Sequence, residues 1–210
     1  MPMKQIIFNC DDFGLSDYCV KGAMKLINSQ VIKSVSLMAN YIYYNRLDLE
    51  ALKLTDLSIG CHLNITSGKP LINDVKSPIL NAERQFHGGW RNLFYLFLKR
   101  KLDVNAVFKE WKLQIEYLLD LGLKVDHLDS HHHIHFLPPL FEVALKLQKY
   151  FSIPFLRRVK PFENFFYWTG YKRSLVELSS FKANYTKTSP LPSNYPVSWF
   201  TDKPDFTENS

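Results

Sequence analysis

The seven histidines of this 210-residue chain are spread unevenly, and four of them fall in the run Asp129-Ser-His-His-His-Ile-His135. Clustered imidazoles are seldom a packing device, because each buried ring needs its nitrogens satisfied. Neutral imidazole is also the commonest metal ligand. Two further features bear on the same chemistry: His62, and the adjacent carboxylates Asp11 and Asp12. Each has an ordinary alternative. The histidine run could be a polar loop, His62 a structural histidine, and Asp11-Asp12 a cap at the start of a helix. Side by side at the end of a buried strand, however, two carboxylates repel unless a cation or a proton compensates. One carboxylate with two imidazoles makes an open metal site, with positions left for water and substrate. A neighbouring, non-ligating carboxylate would then serve as general base. Together these parts describe a hydrolase acting on a carbonyl.

The elements that must position these groups follow from periodicity. Ile6-Ile-Phe8 reads as a buried strand ending at Asn9-Cys-Asp-Asp12, and Ser16 caps a helix with Val20, Ala23 and Ile27 on one face. Ser34 to Met38 is a second strand, 45–54 a helix, and Leu57 to His62 a third strand. The stretch from Thr66 to Gly89 reads as a long loop. Val104, Val107, Trp111, Ile115, Leu118 and Leu119 mark an amphipathic helix closed by Gly122. Lys124 to Asp129 is a fourth strand, Pro138-Pro139 open a helix carrying Leu140, Val143, Ala144 and Leu147, and Ile153 to Leu156 forms a fifth strand. This alternation predicts an α/β fold with a largely parallel sheet, whose functional groups gather at the strands' carboxyl ends. Three strand ends carry Asp11/Asp12, His62 and His131.

Composition bounds the rest. At 46% hydrophobic and 22% charged residues, the chain reads as one globular domain over 1–210, with a loosely ordered end over 162–210. No apolar run approaches the ~20 residues of a membrane span. The N-terminus lacks a secretory apolar region, and the three cysteines form no framework, so a cytoplasmic address is expected. The net charge of +6 is dispersed in short clusters without a nucleic-acid motif. Cys10 and Cys61 read as small core residues. Trp90, Tyr95, Trp168 and Trp199 are candidate sugar platforms.

Four segments in order resemble the motifs of YdjC-type carbohydrate deacetylases, which include the chitooligosaccharide deacetylases. They are Asn9-Cys-Asp-Asp-Phe-Gly-Leu-Ser16, Ser34-Val-Ser-Leu-Met-Ala-Asn40, Gly60-Cys-His-Leu-Asn-Ile-Thr66 and His127-Leu-Asp-Ser-His-His-His-Ile-His135. The resemblance implies an irregular (β/α) barrel with mostly parallel strands, incomplete at the C-terminus. It implies hydrolysis of N-acetyl groups on small acetylated carbohydrates such as chito-oligosaccharides. It also implies a divalent metal held by Asp12, His62 and His131, with Asp11 activating water and Arg157 near the pocket. Asp129 is expected to orient a histidine or cap a turn. Magnesium is the metal by resemblance, whereas the imidazoles favour zinc, iron or cobalt, with manganese also compatible. Family members continue into a Glu and a His-Pro-Gly motif that is not found here. The acid for the leaving amine is therefore expected from His133 or His135, or else the chain binds sugar or metal without turnover. An iron-dependent oxygenase would share the ligand set but leaves the paired aspartates without a role. A homodimer covering exposed sheet edges is a further expectation.

Overall fold

The computed structural model describes residues 7–53, 56–73 and 77–157. Five strands form one parallel sheet: β1 (Asn9–Phe13), β2 (Ser34–Leu37), β3 (Ser58–Leu63), β4 (Val125–Ser130) and β5 (Phe155–Leu156). Their spatial order is the order of the sequence. Each crossover therefore steps to the same side, which is how a (β/α) barrel is wound; a doubly wound sheet reverses direction at a switch point. The expected α/β fold with parallel strands is present. The expectation for 162–210 and the closure of a barrel lie outside the described residues.

Helices fill the crossovers: α1 (Asp17–Asn28), α2 (Ala39–Asn45), α3 (Glu50–Lys53), α4 (Gly89–Leu98), α5 (Val104–Asp120) and α6 (Pro138–Tyr150). Ser16 caps α1 by accepting from the Cys19 backbone N–H, and Asp103 caps α5 by accepting from the Asn105 and Ala106 N–H groups. Such caps satisfy donors that the first helical turn leaves open. On α5 the buried set Val107, Trp111, Ile115 and Leu118 recurs at helical spacing, and α6 answers with Leu140, Val143, Ala144 and Leu147. The two helices pack on each other, and α5 also covers β3. Truncating Ile115, Leu118, Leu140 or Leu147 to Ala costs about 2–5 kcal/mol.

Several boundaries differ from expectation. The first strand begins at Asn9, and Ile7 and Phe8 are 69% and 63% exposed; they flank the strand instead of filling the core. Of the helix expected over 45–54 only the short α3 forms; α2 lies ahead of it and ends where Arg46 takes a left-handed conformation (φ 50°). Leu54 is outside the described residues. The long loop ends as expected, but α4 follows it at Gly89, where no helix was expected before Val104. The fifth strand is the shorter Phe155–Leu156. Among the described residues no helix is long and apolar enough to cross a membrane.

Candidate metal centre and active site

The carboxyl end of β1 carries a local irregularity that brings two neighbouring side chains to one place. Cys10 pairs with Val35 and Phe13 with Leu37, so β1 holds one more residue than β2 over this span. Asp12 sits in the bulge at φ 62°, a left-handed conformation uncommon outside glycine. On a regular strand Asp11 and Asp12 would point to opposite faces. The bulge turns Asp12 so that both face the same centre.

Around Asp12 two imidazoles converge. Its Oδ1 lies 3.0 Å from His62 Nε2 at the end of β3 and 2.8 Å from His131 Nδ1, the first residue after β4. One ligand atom from each of Asp12, His62 and His131 lies within 4.8 Å of the others. Behind them, Asp129 Oδ1 accepts from His62 Nδ1 at 2.7 Å, as the register allows, since His62 and Asp129 are paired across β3 and β4. That bond fixes the ring so that Nε2 faces Asp12, the orienting role a buried carboxylate plays behind a metal-bound histidine. Asp129 thus orients a histidine on the neighbouring strand.

Arg157, just beyond β5, ties the remaining carboxylates together. Its Nη1 and Nη2 donate to Asp11 Oδ2 and Oδ1 at 2.6 and 2.7 Å, and Nη2 lies 2.8 Å from Asp129 Oδ2. Asn9 Nδ2 donates to Asp11 Oδ1 at 2.6 Å. A second group of ligand-type atoms, from Asp11, His62 and Asp129, also lies within 4.8 Å. Asp11 therefore borders the centre while being held by Arg157 and Asn9.

The electrostatics ask for a positive charge among these groups. Burial alone would raise the Asp12 carboxyl, but hydrogen bonds from His131 and His62 hold it well below the usual carboxylate range. Burial opposes charge on His62, yet the Asp129 charge and the bonds to Asp12 and Asp129 push its pKa up to about 10. Asp129 is penalised by burial and nonetheless held well below its ordinary value by Arg157 and His62. A proton on His62 meets this demand; a divalent cation bound by the same atoms would meet it too, with release of that proton. Donor types, separations and the oriented His62 all fit a divalent ion. Asp12 is 35% exposed beside a 2% exposed His62, so the group is open on one side.

The other histidines of the run are placed differently. His132 and His133 adopt left-handed backbone conformations (φ 55° and 52°), and Thr66 Oγ1 lies 3.0 Å from His132 Nδ1. His133 and His135 are buried. Burial and the Arg157 charge press the His133 pKa well down. Burial lowers His135 to about 4 despite the favourable Asp129 charge. His135 Nε2 donates to the Arg157 carbonyl at 3.1 Å, and its Nδ1 faces Ser130 Oγ. Cys61 is buried, and burial pushes its thiol up. The Cys10 thiol is raised to about 11 by burial and by Asp11. A protonated thiol is a poor metal ligand. Tyr95 is exposed and Trp90 half-buried on α4; Trp168 and Trp199 lie outside the described residues.

Sequence reasoning assigned no role to Asn9, Ser36 or His127. Ser36 Oγ donates to Asp129 Oδ2 at 2.9 Å and receives Asn9 Nδ2 at 2.8 Å. The readable signal was Ser34 and Ser36 alternating with Val35 and Leu37 on a wholly buried strand.

A family model described as YdjC-like protein matches residues 5–208. The chain belongs to the YdjC-like family. It is 35% identical over 153 residues to a carbohydrate deacetylase of Oceanobacillus iheyensis, covering 71% of this chain and 63% of that protein. It is 36% identical over 151 residues to a carbohydrate deacetylase of Vibrio parahaemolyticus, covering 71% and 57%. A third, from Listeria monocytogenes serotype 4a, is 33% identical over 156 residues, covering 73% and 60%. The chain thus spans roughly three-fifths of the length of these curated relatives. A crystal structure of a provisionally named cellobiose-phosphate cleavage protein from Enterococcus faecalis V583 superposes with a TM-score of 0.63 at 24% identity, covering 83% of this chain and 64% of that one. That likeness concerns the fold.

Proposed function

We propose that this YdjC-like chain is a metal-dependent carbohydrate deacetylase that hydrolyses N-acetyl groups on small amino sugars, chito-oligosaccharides among them. The observation that carries the reading is the convergence of Asp12, His62 and His131 on one point, with Asp11 beside them in the grip of Arg157. The relatives named carbohydrate deacetylase support it.

A divalent ion gripped by Asp12, His62 and His131 would supply Lewis acidity, polarising a carbonyl and lowering the pKa of water. The imidazole pair suits zinc, cobalt or iron on ligand type, and family resemblance adds magnesium. Asp11 is the general base. Its Oδ1 is engaged by Asn9 and Arg157, and its Oδ2 accepts one bond from Arg157, which leaves Oδ2 capacity to take the proton of an attacking water. Arg157 keeps Asp11 aimed. Asp129 keeps His62 Nε2 pointed at the Asp12 oxygen. The half-open Asp12 side is where the acetyl group approaches.

Release of acetate from N-acetylated chito-oligosaccharides, measured across a series of zinc, cobalt, manganese and magnesium, tests the reading. Asp11→Asn should lower the rate by about 10²–10⁴-fold, the usual worth of a general base, with metal binding retained. Metal-loaded protein inert on a broad acetylated-sugar panel would overturn it. A second reading, sugar or metal binding without turnover, is favoured by the burial of His133 and His135, the two histidines expected to supply the acid for the departing amine. It predicts saturable binding of acetylated sugar with no acetate released.

A further inference from the structure

A continuous line of polar side chains runs beneath the centre across three strands, β2, β3 and β4. At its far end Asp126 Oδ1 lies 2.6 Å from His127 Nδ1, and Ser58 Oγ donates to the same Asp126 oxygen at 2.8 Å while lying 3.2 Å from that ring nitrogen. The other nitrogen, His127 Nε2, is 3.1 Å from Ser36 Oγ. Ser36, fully buried, hands its proton to Asp129 Oδ2 at 2.9 Å, and Asp129 Oδ1 holds His62.

Gly60 makes this line possible. It pairs with His127 across β3 and β4, and a Cβ at that position would lie 2.2 Å from His127 Nε2. The imidazole lies over the bare glycine backbone, a position any other residue would deny it.

Ser36 has a single proton and two neighbours able to take it, Asp129 Oδ2 and His127 Nε2. Because Ser36 Oγ gives its proton to Asp129, His127 Nε2 must donate to Ser36 Oγ, and with Nδ1–H directed at the Asp126 carboxylate this arrangement has both ring nitrogens as donors. A bare Nε2 would draw that proton away and leave Asp129 Oδ2 to Arg157 alone. We propose that Ser36 and His127 are positioning residues that fix the Asp129 carboxylate, and through it the His62 ring, for metal capture. The inference rests on the metal-centre reading of Asp12, His62 and His131. It concerns groups that touch neither ion nor substrate.

Cobalt(II) titration of the full chain tests it, with affinity from chelator competition and geometry from the visible absorption spectrum. Ser36→Ala should weaken cobalt binding by about tenfold or more, the usual worth of a partner behind a ligand, and should alter the spectrum. His127→Leu should do the same. His127→Gln, whose amide N–H can still reach Ser36, should recover most of the affinity. A folded Ser36→Ala protein that binds cobalt within twofold of wild type, with the same spectrum, overturns the proposal. Should that variant not fold, equal affinity of His127→Leu and His127→Gln overturns it instead. Failure of the unsubstituted protein to bind cobalt overturns the metal reading itself, and this proposal with it.

Discussion

Among the described residues two carboxylates, Asp129 and Glu110, are wholly shielded from solvent, and they do opposite work. Asp129 sits among charges: Arg157 and His62 on one side, the Ser36 hydroxyl on the other. Glu110, on α5, meets neutral donors. It accepts from the Leu71 and Ile72 backbone N–H groups at 2.8–3.0 Å and from Gln114 Nε2 at 2.7 Å. Gln114 in turn binds the carbonyl of Asn64, and Asn40 and Asn64 bind the Ser67 carbonyl. That network pins the segment following His62 to the helical shell. Burial raises the Glu110 pKa because uncharged donors offset only part of the desolvation, whereas Arg157 and His62 hold Asp129 well below its ordinary value. Burial alone does not mark a functional carboxylate; the charge of its neighbours does.

Substitution should separate the two. Asp129→Ala leaves Arg157 with one carboxylate fewer and His62 without its orienting partner. The expected loss is about 3–5 kcal/mol, the cost of breaking a buried ion pair, read by urea unfolding, together with loss of cobalt binding. A milder effect than that of Glu110→Gln would break the comparison.

Acid titration sharpens it next. His135 is buried neutral with a pKa of about 4 against an ordinary value of 6.5, so the unfolded chain takes up a proton first as pH falls. Its contribution to stability is whole above pH 6.5 and is lost between 6.5 and 4, about 3 kcal/mol in all. Glu110 has the opposite sign. Its folded pKa is raised, so the native state binds a proton before the unfolded chain does. Wild type should therefore gain stability relative to Glu110→Gln as pH drops toward 4.5. Denaturant midpoints for wild type, His135→Asn and Glu110→Gln over pH 4–7 resolve both slopes; a slope unchanged in His135→Asn removes the first.

At neutral pH, Glu110→Gln should cost about 1–3 kcal/mol, the penalty for disturbing a buried acceptor. It should also speed limited proteolysis within 64–73, while cobalt affinity stays within about threefold of wild type. Coupled loss of metal binding would show that the loop scaffold and the centre are one unit. The smallest effect belongs to Cys61→Ala, a one-atom truncation expected to cost about 1 kcal/mol with metal affinity unchanged. A large fall in affinity would mean that the thiol is a ligand after all.

Much of this molecule is legible in the chain. Ser16 and Asp103 are N-cap residue types, the α5 and α6 stripes recur at helical spacing, and short apolar runs alternate with helices. These are local patterns, set by backbone geometry within a few residues, and they were enough for the α/β architecture. They failed where one residue decides: Arg46 in a left-handed turn divides the second crossover, and α4 starts at Gly88-Gly89, which reads as loop. Asp11, Asp12, His62 and His131 stood out by type and by position at strand ends.

Chemical type, order and periodicity were thus fixed by the sequence itself. What only the tertiary structure decided was pairing. The bulge that aims Asp12, the register setting His62 beside Asp129, the Arg157 bridge spanning 146 positions to Asp11, and the line from His127 through Ser36 all join segments far apart in the chain. Register between parallel strands depends on how whole crossover helices pack. A shift of one residue would turn every one of these side chains to the opposite face.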